Sequence, residues 1–174
     1  MNHHTYEIIP RLFLSSYDTA ENFQIIKELQ ISTIVNCSKD LDNKFELRLI
    51  KPIEEAPKEI QDYLFNNAFI IKYYRIPIDD NMKKEEIDHF YKYSKDTIPK
   101  IIDEYNSGKN ILIHCLAGNQ RSAAFVVIFL MKYLSITSQQ AIEKVLDKKP
   151  NSFFFGSQIN FIDAINKFEE SIQN

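Results

Sequence analysis

A cysteine and an arginine six positions apart are the residues of this chain whose types and spacing can do chemistry. Cys115 directly follows a short apolar run, and Arg121 opens a second one. A thiolate is a strong nucleophile, and a guanidinium fork binds two oxygens of a phosphoryl group. Lysine cannot reproduce that bidentate geometry. The pair therefore predicts phosphoryl transfer to sulfur.

The loop between these two residues is predicted to cradle a phosphate. A strand, loop and helix in succession converge backbone N–H groups on an anion, and the positive end of the helix dipole favours the thiolate form of Cys115. Gly118 permits the tight turn. A buried, inert structural cysteine is the alternative, and the neighbouring residues argue against it. The predicted phosphate-binding residues are Leu116, Ala117, Gly118, Asn119, Gln120 and Arg121.

The segment HCLAGNQRS, residues 114–122, resembles the HC-x-AG-x-x-RS signature of the cysteine-dependent protein phosphatases, specifically their small dual-specificity branch. The resemblance implies that His114 orients the loop and tunes Cys115. It also implies that Ser122 hydrogen-bonds the sulfur and eases breakdown of a phosphocysteine intermediate. The family more often has Ser where Gln120 stands, so this position departs from the pattern.

A carboxylic acid on a separate loop must supply the proton that the departing oxygen needs. Asp79 and Asp80, in the segment RIPIDD, are the two candidates. The family has a similar Ile-Pro-x-x-Asp phrase, and the resemblance assigns the general acid to Asp80 with Asp79 as the alternative. The same carboxyl would then act as base for the water that hydrolyses the phosphocysteine. The competing interpretation is that both are solvated turn residues.

Asn36 and Cys37 directly follow the apolar run Ile31 to Val35 and are candidates for supporting roles. The resemblance implies that Asn36 braces the phosphate loop, although a plain strand-end cap is an equally open interpretation. Cys37 is predicted to be a small buried hydrophobe. The alternative is a protective disulfide with Cys115, which requires Cα atoms within about 7 Å of each other.

The elements that must position these residues alternate between strand and helix patterns. The predicted strands are Tyr6 to Ile9, Leu12 to Ser15, Ile31 to Val35, Ile70 to Ile76 and Asn110 to His114. The predicted helices are Glu21 to Leu29, Lys58 to Phe65, Glu85 to Tyr105, Arg121 to Leu134, Thr137 to Asp147 and Ser157 to Ile172. Pro99 should kink or break the third helix, and Thr137 with Gln140 resembles a capping box.

This alternation predicts an α/β fold with a central, mostly parallel sheet flanked by helices. The resemblance implies the three-layer sandwich of the cysteine phosphatases. The chain of 174 residues suits a single catalytic domain, residues 1–174, with a charged segment inserted at about 42–67.

Composition excludes several partner classes. A net charge of -3 gives no footing for nucleic acid, and the longest apolar stretch is too short to cross a membrane. Two cysteines and no apolar leader favour a cytoplasmic, reducing location. The histidines lack metal-ligand spacing, and no metal or organic cofactor is expected. The lysines Lys83, Lys84, Lys148 and Lys149 are predicted to be solvated.

The resemblance implies a phosphatase that hydrolyses phosphotyrosine and phosphoserine or phosphothreonine in proteins. It also implies that vanadate inhibits the enzyme. One alternative is a non-protein substrate, a phosphoinositide or an RNA 5′-phosphate. The loop interior, which holds no Lys or Arg, counts against such polyanions. The other alternative is a non-catalytic phosphoprotein-binding module, which the presence of both the nucleophile and a loop Asp disfavours. Oligomeric state is left open by the sequence.

Overall fold

Strands and helices alternate along the part of the chain that the structure describes, residues 5–46, 58, 61, 71–153 and 159–173 of a computed structural model. The strands are β1 (Thr5–Ile9), β2 (Leu12–Ser15), β3 (Ile31–Asn36), β4 (Lys72–Arg75) and β5 (Asn110–His114). The helices are α1 (Tyr17–Ala20), α2 (Phe23–Glu28), α3 (Lys84–Asn106), α4 (Arg121–Leu134), α5 (Ser138–Lys148) and α6 (Ile162–Gln173).

These five strands form one sheet in the order β1-β2-β5-β3-β4. Strands β2, β5, β3 and β4 run parallel to one another, and β1 pairs with β2 in the antiparallel direction. The predicted α/β fold with a mostly parallel sheet is therefore confirmed. Strand β5 lies at the centre, so the chain that leaves its carboxyl end emerges in the middle of the sheet edge.

Successive side chains of the central strands point to opposite faces of the sheet, as strand geometry requires. Ile111 and Ile113 belong to the larger buried cluster, which includes residues of α3, α4, α5 and α6. Leu112 and Phe13 belong to a smaller cluster on the other face, which includes residues of α1 and α2. The sheet therefore lies between two helical layers, in agreement with the predicted sandwich.

Helix α4 is apolar around its whole circumference, and its residues from Ser122 to Met131 are all buried. A helix of this kind is stable only inside a core. The predicted capping box is confirmed, since Thr137 Oγ1 accepts from the Gln140 N–H and Gln140 Oε1 accepts from the Thr137 N–H. Helix α4, which begins where the loop at residues 115–120 ends, is therefore held inside the core.

Three helix predictions need correction. Helix α3 runs uninterrupted through Pro99, so a break there is wrong; the buried neighbours Ile98 and Ile101 hold the helix against the core. The helix predicted over Glu21 to Leu29 is present as α2 with shorter bounds, Phe23–Glu28, and a separate short helix that was not predicted, α1, precedes it. The last helix begins at Ile162, and its predicted start at Ser157 lies outside the described residues.

Most of the predicted insertion at 42–67, including nearly all of its predicted helix, lies outside the described residues. The single-domain organisation remains a prediction. Within the described ranges, none of the helices has the length and apolar character needed to span a membrane.

Candidate active site

Cys115 stands at the carboxyl end of the central strand, and helix α4 begins six residues later. The thiol is 3% exposed, and the fully buried Ser122 donates a hydrogen bond from its Oγ to the Cys115 Sγ at 3.1 Å. A hydroxyl donor of this kind stabilises negative charge on a sulfur atom. The structure thus places a nucleophile and a hydroxyl donor at the N-terminal end of a buried helix.

Two carbonyl groups of the phosphate loop, residues 115–121, accept hydrogen bonds from outside the loop. The Leu116 carbonyl accepts from the Tyr17 N–H at 3.0 Å, and the Asn119 carbonyl accepts from the Phe153 N–H at 3.0 Å. In a trans peptide unit the C=O and the following N–H point in opposite directions. The N–H groups of Ala117 and Gln120 are therefore turned away from these partners, as an anion-binding loop requires.

Gly118 lies where the loop crosses the end of β2. Its φ is +71°, and a Cβ built there would lie 2.5 Å from the Ser15 carbonyl oxygen. Both the backbone conformation and the contact distance exclude any side chain. The close crossing fixes the path of the loop against the sheet.

Arg121 connects the phosphate loop to the segment that carries the candidate acids. Its Nη1 donates to the Ile78 carbonyl at 2.9 Å. Its Nε is buried and has no hydrogen-bond partner among the described residues. One edge of the guanidinium therefore holds the acid loop, residues 75–80, while the Nε donor is available to an oxyanion.

The side chains of the two candidate acids have different partners. Asp79 Oδ2 forms an exposed ion pair with Lys39 at 3.5 Å. Asp80 Oδ1 accepts a hydrogen bond from Asn160 Nδ2 at 2.8 Å, and the Asn160 backbone N–H donates to Gln120 Oε1 at 3.1 Å. Asp80 is thereby linked to the phosphate loop and Asp79 is not. This arrangement favours Asp80 as the general acid.

Asn160 was not indicated by the sequence. It lies 80 positions from Asp80 and 40 from Gln120, and no local pattern marks it. Only the packing of the last helix against α3 and α4 brings these residues together.

Asn36 organises its own turn. Its side-chain Nδ2 donates to the Leu41 carbonyl and to Asn43 Oδ1, both at 2.9 Å, and its Oδ1 accepts from Ser38 Oγ at 2.6 Å. The side chain makes no contact with the phosphate loop among its described hydrogen bonds. Of the two interpretations that the sequence left open, the structure favours the strand-end cap.

Cys37 lies beside the active-site cysteine. Its N–H donates to the His114 carbonyl at 2.7 Å, and Asn36 pairs with His114 in the parallel register of β3 and β5. Both cysteines are free and buried, and burial raises the pKa of the Cys37 thiol. The prediction that Cys37 is a small buried residue is therefore confirmed, and the alternative, a protective disulfide with Cys115, is not formed in this structure.

His114 is buried at the end of β5, with 1% of its surface exposed. Burial lowers its pKa to about 4. A hydrogen bond with the Cys115 backbone opposes this shift, and the positive charges of Arg75 and Arg121 add to it. The imidazole is therefore neutral at pH 7. Any influence on Cys115 comes from its position and hydrogen bonding, since it carries no positive charge.

The buried histidine should make the folded state acid-sensitive. A folded pKa of about 4 lies below the ordinary value of about 6.5, so the unfolded state binds more protons between these values. We therefore expect the free energy of unfolding to fall by about 2 kcal/mol between pH 7 and pH 5. Urea unfolding at both pH values measures it.

His114→Asn should remove most of that pH dependence, whereas His89→Asn, a change at an exposed histidine of α3, should leave it intact. Glu104 is another buried titratable group. Burial raises its pKa, but hydrogen bonds from Lys109 and Lys72 outweigh this effect and lower the pKa to about 2. Glu104 therefore loses its charge only at more acidic pH. An unchanged slope in His114→Asn would show that another group is responsible.

The structure corrects the prediction made for Lys149. It was predicted to be solvated, but it is 3% exposed and its Nζ donates to Asn119 Oδ1 and, at 3.2 Å, to Asn151 Oδ1. The Tyr6 ring lies 5.4 Å from the same nitrogen. Burial lowers the pKa of Lys149. The side chain turns inward because two amide oxygens and an aromatic face replace its water.

A groove of about 400 Å³ runs beside the phosphate loop. It is lined by Tyr6, Ser16, Asp18, Leu116, Ala117, Asn119, Lys149 and Asn151. In the described part of the chain, no three His, Cys, Asp or Glu residues are grouped as metal ligands would be.

Comparisons with known proteins agree on one family. The family model described as "Dual specificity phosphatase, catalytic domain" matches residues 12–171. Human dual specificity protein phosphatase 6 is 30% identical over 168 residues, which cover 95% of this chain and 36% of that protein. Dual specificity protein phosphatase Mpk3 of Drosophila melanogaster is 29% identical, over 96% of this chain and 34% of that protein. The chain spans about a third of the length of these relatives.

Solved structures share the fold. Human DUSP28 superposes with a TM-score of 0.73 at 19% identity, covering 100% of this chain and 98% of that one. The human tyrosine phosphatase-like serine/threonine/tyrosine-interacting protein superposes with a TM-score of 0.69 at 22% identity, covering 99% of this chain and 100% of that one.

Proposed function

This chain belongs to the dual specificity phosphatase catalytic-domain family, and from that premise we propose that it hydrolyses phosphotyrosine and phosphoserine or phosphothreonine in proteins. The reaction passes through a phosphocysteine on Cys115. The observation that carries the proposal is the 3.1 Å hydrogen bond from Ser122 Oγ to the Cys115 Sγ at the start of α4. A structural cysteine has no need of a buried hydroxyl donor beside a phosphate-binding loop.

In the first step the Cys115 thiolate attacks phosphorus, and the bond from phosphorus to the substrate oxygen breaks. The loop N–H groups and the Arg121 guanidinium hold the equatorial phosphoryl oxygens. Asp80 donates a proton to the departing oxygen, which leaves as the alcohol or phenol of the side chain.

In the second step water attacks the phosphocysteine, and the sulfur leaves as a thiolate. Asp80, now ionised, accepts a proton from the water. Ser122 supports the departing thiolate through its hydrogen bond at 3.1 Å. Inorganic phosphate is released, and all the groups return to their starting protonation states.

Protein substrates fit the site better than polyanionic ones. The loop residues Leu116 to Gln120 include no Lys or Arg. The neighbouring cation, Lys149, is already occupied by the amide oxygens of Asn119 and Asn151. A substrate with several phosphates would therefore find few unpaired cations near the loop.

Substrate preference is tested by comparing kcat/KM for phosphotyrosine and phosphothreonine peptides, a phosphoinositide and a 5′-phosphorylated RNA. We expect turnover of both peptide classes and at least tenfold lower values for the two polyanions. Preference for either polyanion would replace the protein substrate. Tight vanadate binding without turnover of any substrate would instead support a non-catalytic binding module.

We also propose an intracellular location for this activity. A catalytic thiol must stay reduced, and Cys37 and Cys115 are both free thiols in the structure. Labelling of Cys115 by a thiol reagent in intact cells, prevented by vanadate, is the expected result.

A further inference from the structure

We propose that Asn160 is a positioning residue for the general acid, and that it bridges Asp80 to the phosphate loop through Gln120. The inference rests on the proposed function, because it takes Asp80 as the general acid. It adds two residues to the reaction that the cysteine signature itself does not assign to proton transfer.

Asn160 bonds to both loops at once. Its side-chain Nδ2 donates to Asp80 Oδ1 at 2.8 Å, and its backbone N–H donates to Gln120 Oε1 at 3.1 Å. Asp80 is itself exposed, so its side chain has rotamer freedom unless a partner restricts it. Among the described hydrogen bonds of Asp80, the one from Asn160 is the restraint.

The bridge explains why the loop departs from the family pattern at Gln120. The Gln120 side chain is 4% exposed and spans the gap to the Asn160 backbone. A serine, which the family more often has here, has a side chain too short to place an oxygen at the same point. Gln120, the unusual residue of the signature, and Asn160 therefore act together to hold Asp80.

The anchor behind the bridge is rigid. Phe161, the next residue, is 1% exposed, and its ring lies 4.6 Å from the ring of Phe90 in α3. The Asn160 backbone is consequently held by the core. A carboxylate hydrogen-bonded to such an anchor keeps one orientation relative to Cys115.

The hydrogen bond also selects which carboxyl oxygen carries the proton. The Asn160 amide donates to Oδ1, and an oxygen that accepts this bond is the poorer site for a proton. Oδ2 is left to hold the proton and to donate it to the leaving oxygen. Because proton transfer depends on the position of the donor, loss of the bridge should slow the reaction selectively for substrates that need the acid.

Leaving-group dependence tests the proposal. Phenyl phosphate releases a basic phenoxide that requires protonation, whereas p-nitrophenyl phosphate releases a stabilised phenoxide that departs with little help. Asn160→Ala should lower kcat/KM about tenfold for phenyl phosphate and less than twofold for p-nitrophenyl phosphate. Vanadate inhibition should be unchanged, since the phosphate loop stays intact.

Four further variants make the test specific. Asn160→Asp keeps the size of the side chain but loses the donor and faces Asp80 with a like charge, so it should lose at least as much as the alanine. Gln120→Ser should show a smaller loss of the same selective kind, and the double variant should be no worse than Asn160→Ala alone. Asn106→Ala, an exposed change at the far end of α3, should match the native chain.

Asp80→Asn separates the failure of this inference from failure of the proposed function. If Asp80→Asn loses phenyl phosphate activity selectively while both Asn160 variants match the native chain, the bridge is wrong and the acid assignment stands. If Asp80→Asn shows no selectivity, the acid assignment fails and the bridge fails with it. If Asn160→Ala lowers kcat/KM equally for both substrates, Asn160 has only a structural role.

Discussion

Replacing Cys115 with serine should lower the hydrolysis of p-nitrophenyl phosphate by at least about 10⁴-fold, and the native rate should be unaffected by EDTA. The serine hydroxyl is not ionised near neutral pH, so the step that forms the covalent intermediate loses its nucleophile. The hydrogen bond that Ser122 makes at 3.1 Å supports a thiolate and has no charged partner in the variant. Initial rates in the two proteins, with and without EDTA, measure the effect.

The matched control is Cys37→Ser, the same substitution at the other cysteine of the chain. Cys37 is buried beside His114, so the variant should be somewhat less stable but should keep turnover within the same order of magnitude. Trapping of a phosphorylated native enzyme by rapid acid quench should fail in Cys115→Ser. Residual turnover above one per cent in that variant would mean that another group attacks phosphorus.

Replacing Arg121 with lysine should lower kcat/KM by roughly 10³-fold and weaken vanadate inhibition by a similar factor. A lysine keeps the charge but loses the planar fork that binds two phosphoryl oxygens. It also loses the hydrogen bond at 2.9 Å from Nη1 to the Ile78 carbonyl, which holds the acid loop beside the phosphate loop. Both losses act on the transition state, so the ratio of native to variant kcat/KM measures them.

The matched control is Arg11→Lys, at the opposite edge of the sheet. Arg11 lies 4.4 Å over the Tyr105 ring and donates to the Tyr105 carbonyl at 3.0 Å. This substitution should reduce the free energy of unfolding by about 1 kcal/mol and leave turnover unchanged. Equal loss of activity in the two variants would show that the effect of Arg121→Lys is one of general stability.

The chemistry of the site was predictable because the residues that carry it lie in a short stretch of chain. Residues 114–122 hold the nucleophile, the glycine, the arginine and the serine, and covalent continuity brings them around one loop. The family resemblance drawn from this stretch is confirmed by the match over residues 12–171. The α/β fold followed from the alternation of strand and helix patterns, and it is confirmed by the sheet order and the two helical layers.

Predictions that depended on distant partners fared less well. Pro99 argued for an interrupted helix, yet buried neighbours keep α3 continuous. Lys149 has the local signature of a solvated lysine, yet Asn119 and Asn151 take up its ammonium group. In each case the local preference was worth a few kcal/mol at most, and tertiary contacts outweighed it.

The sequence by itself determined the family, the class of fold and the residue types of the phosphate loop, because those depend on neighbours along the chain. Tertiary structure alone decided that Asp80, and not Asp79, is linked to the loop, and that Asn160 forms the link. It also decided that the Asn36 side chain faces its own turn. These choices join residues through space, and a side chain's partner is fixed only when packing has set the position of every element around it.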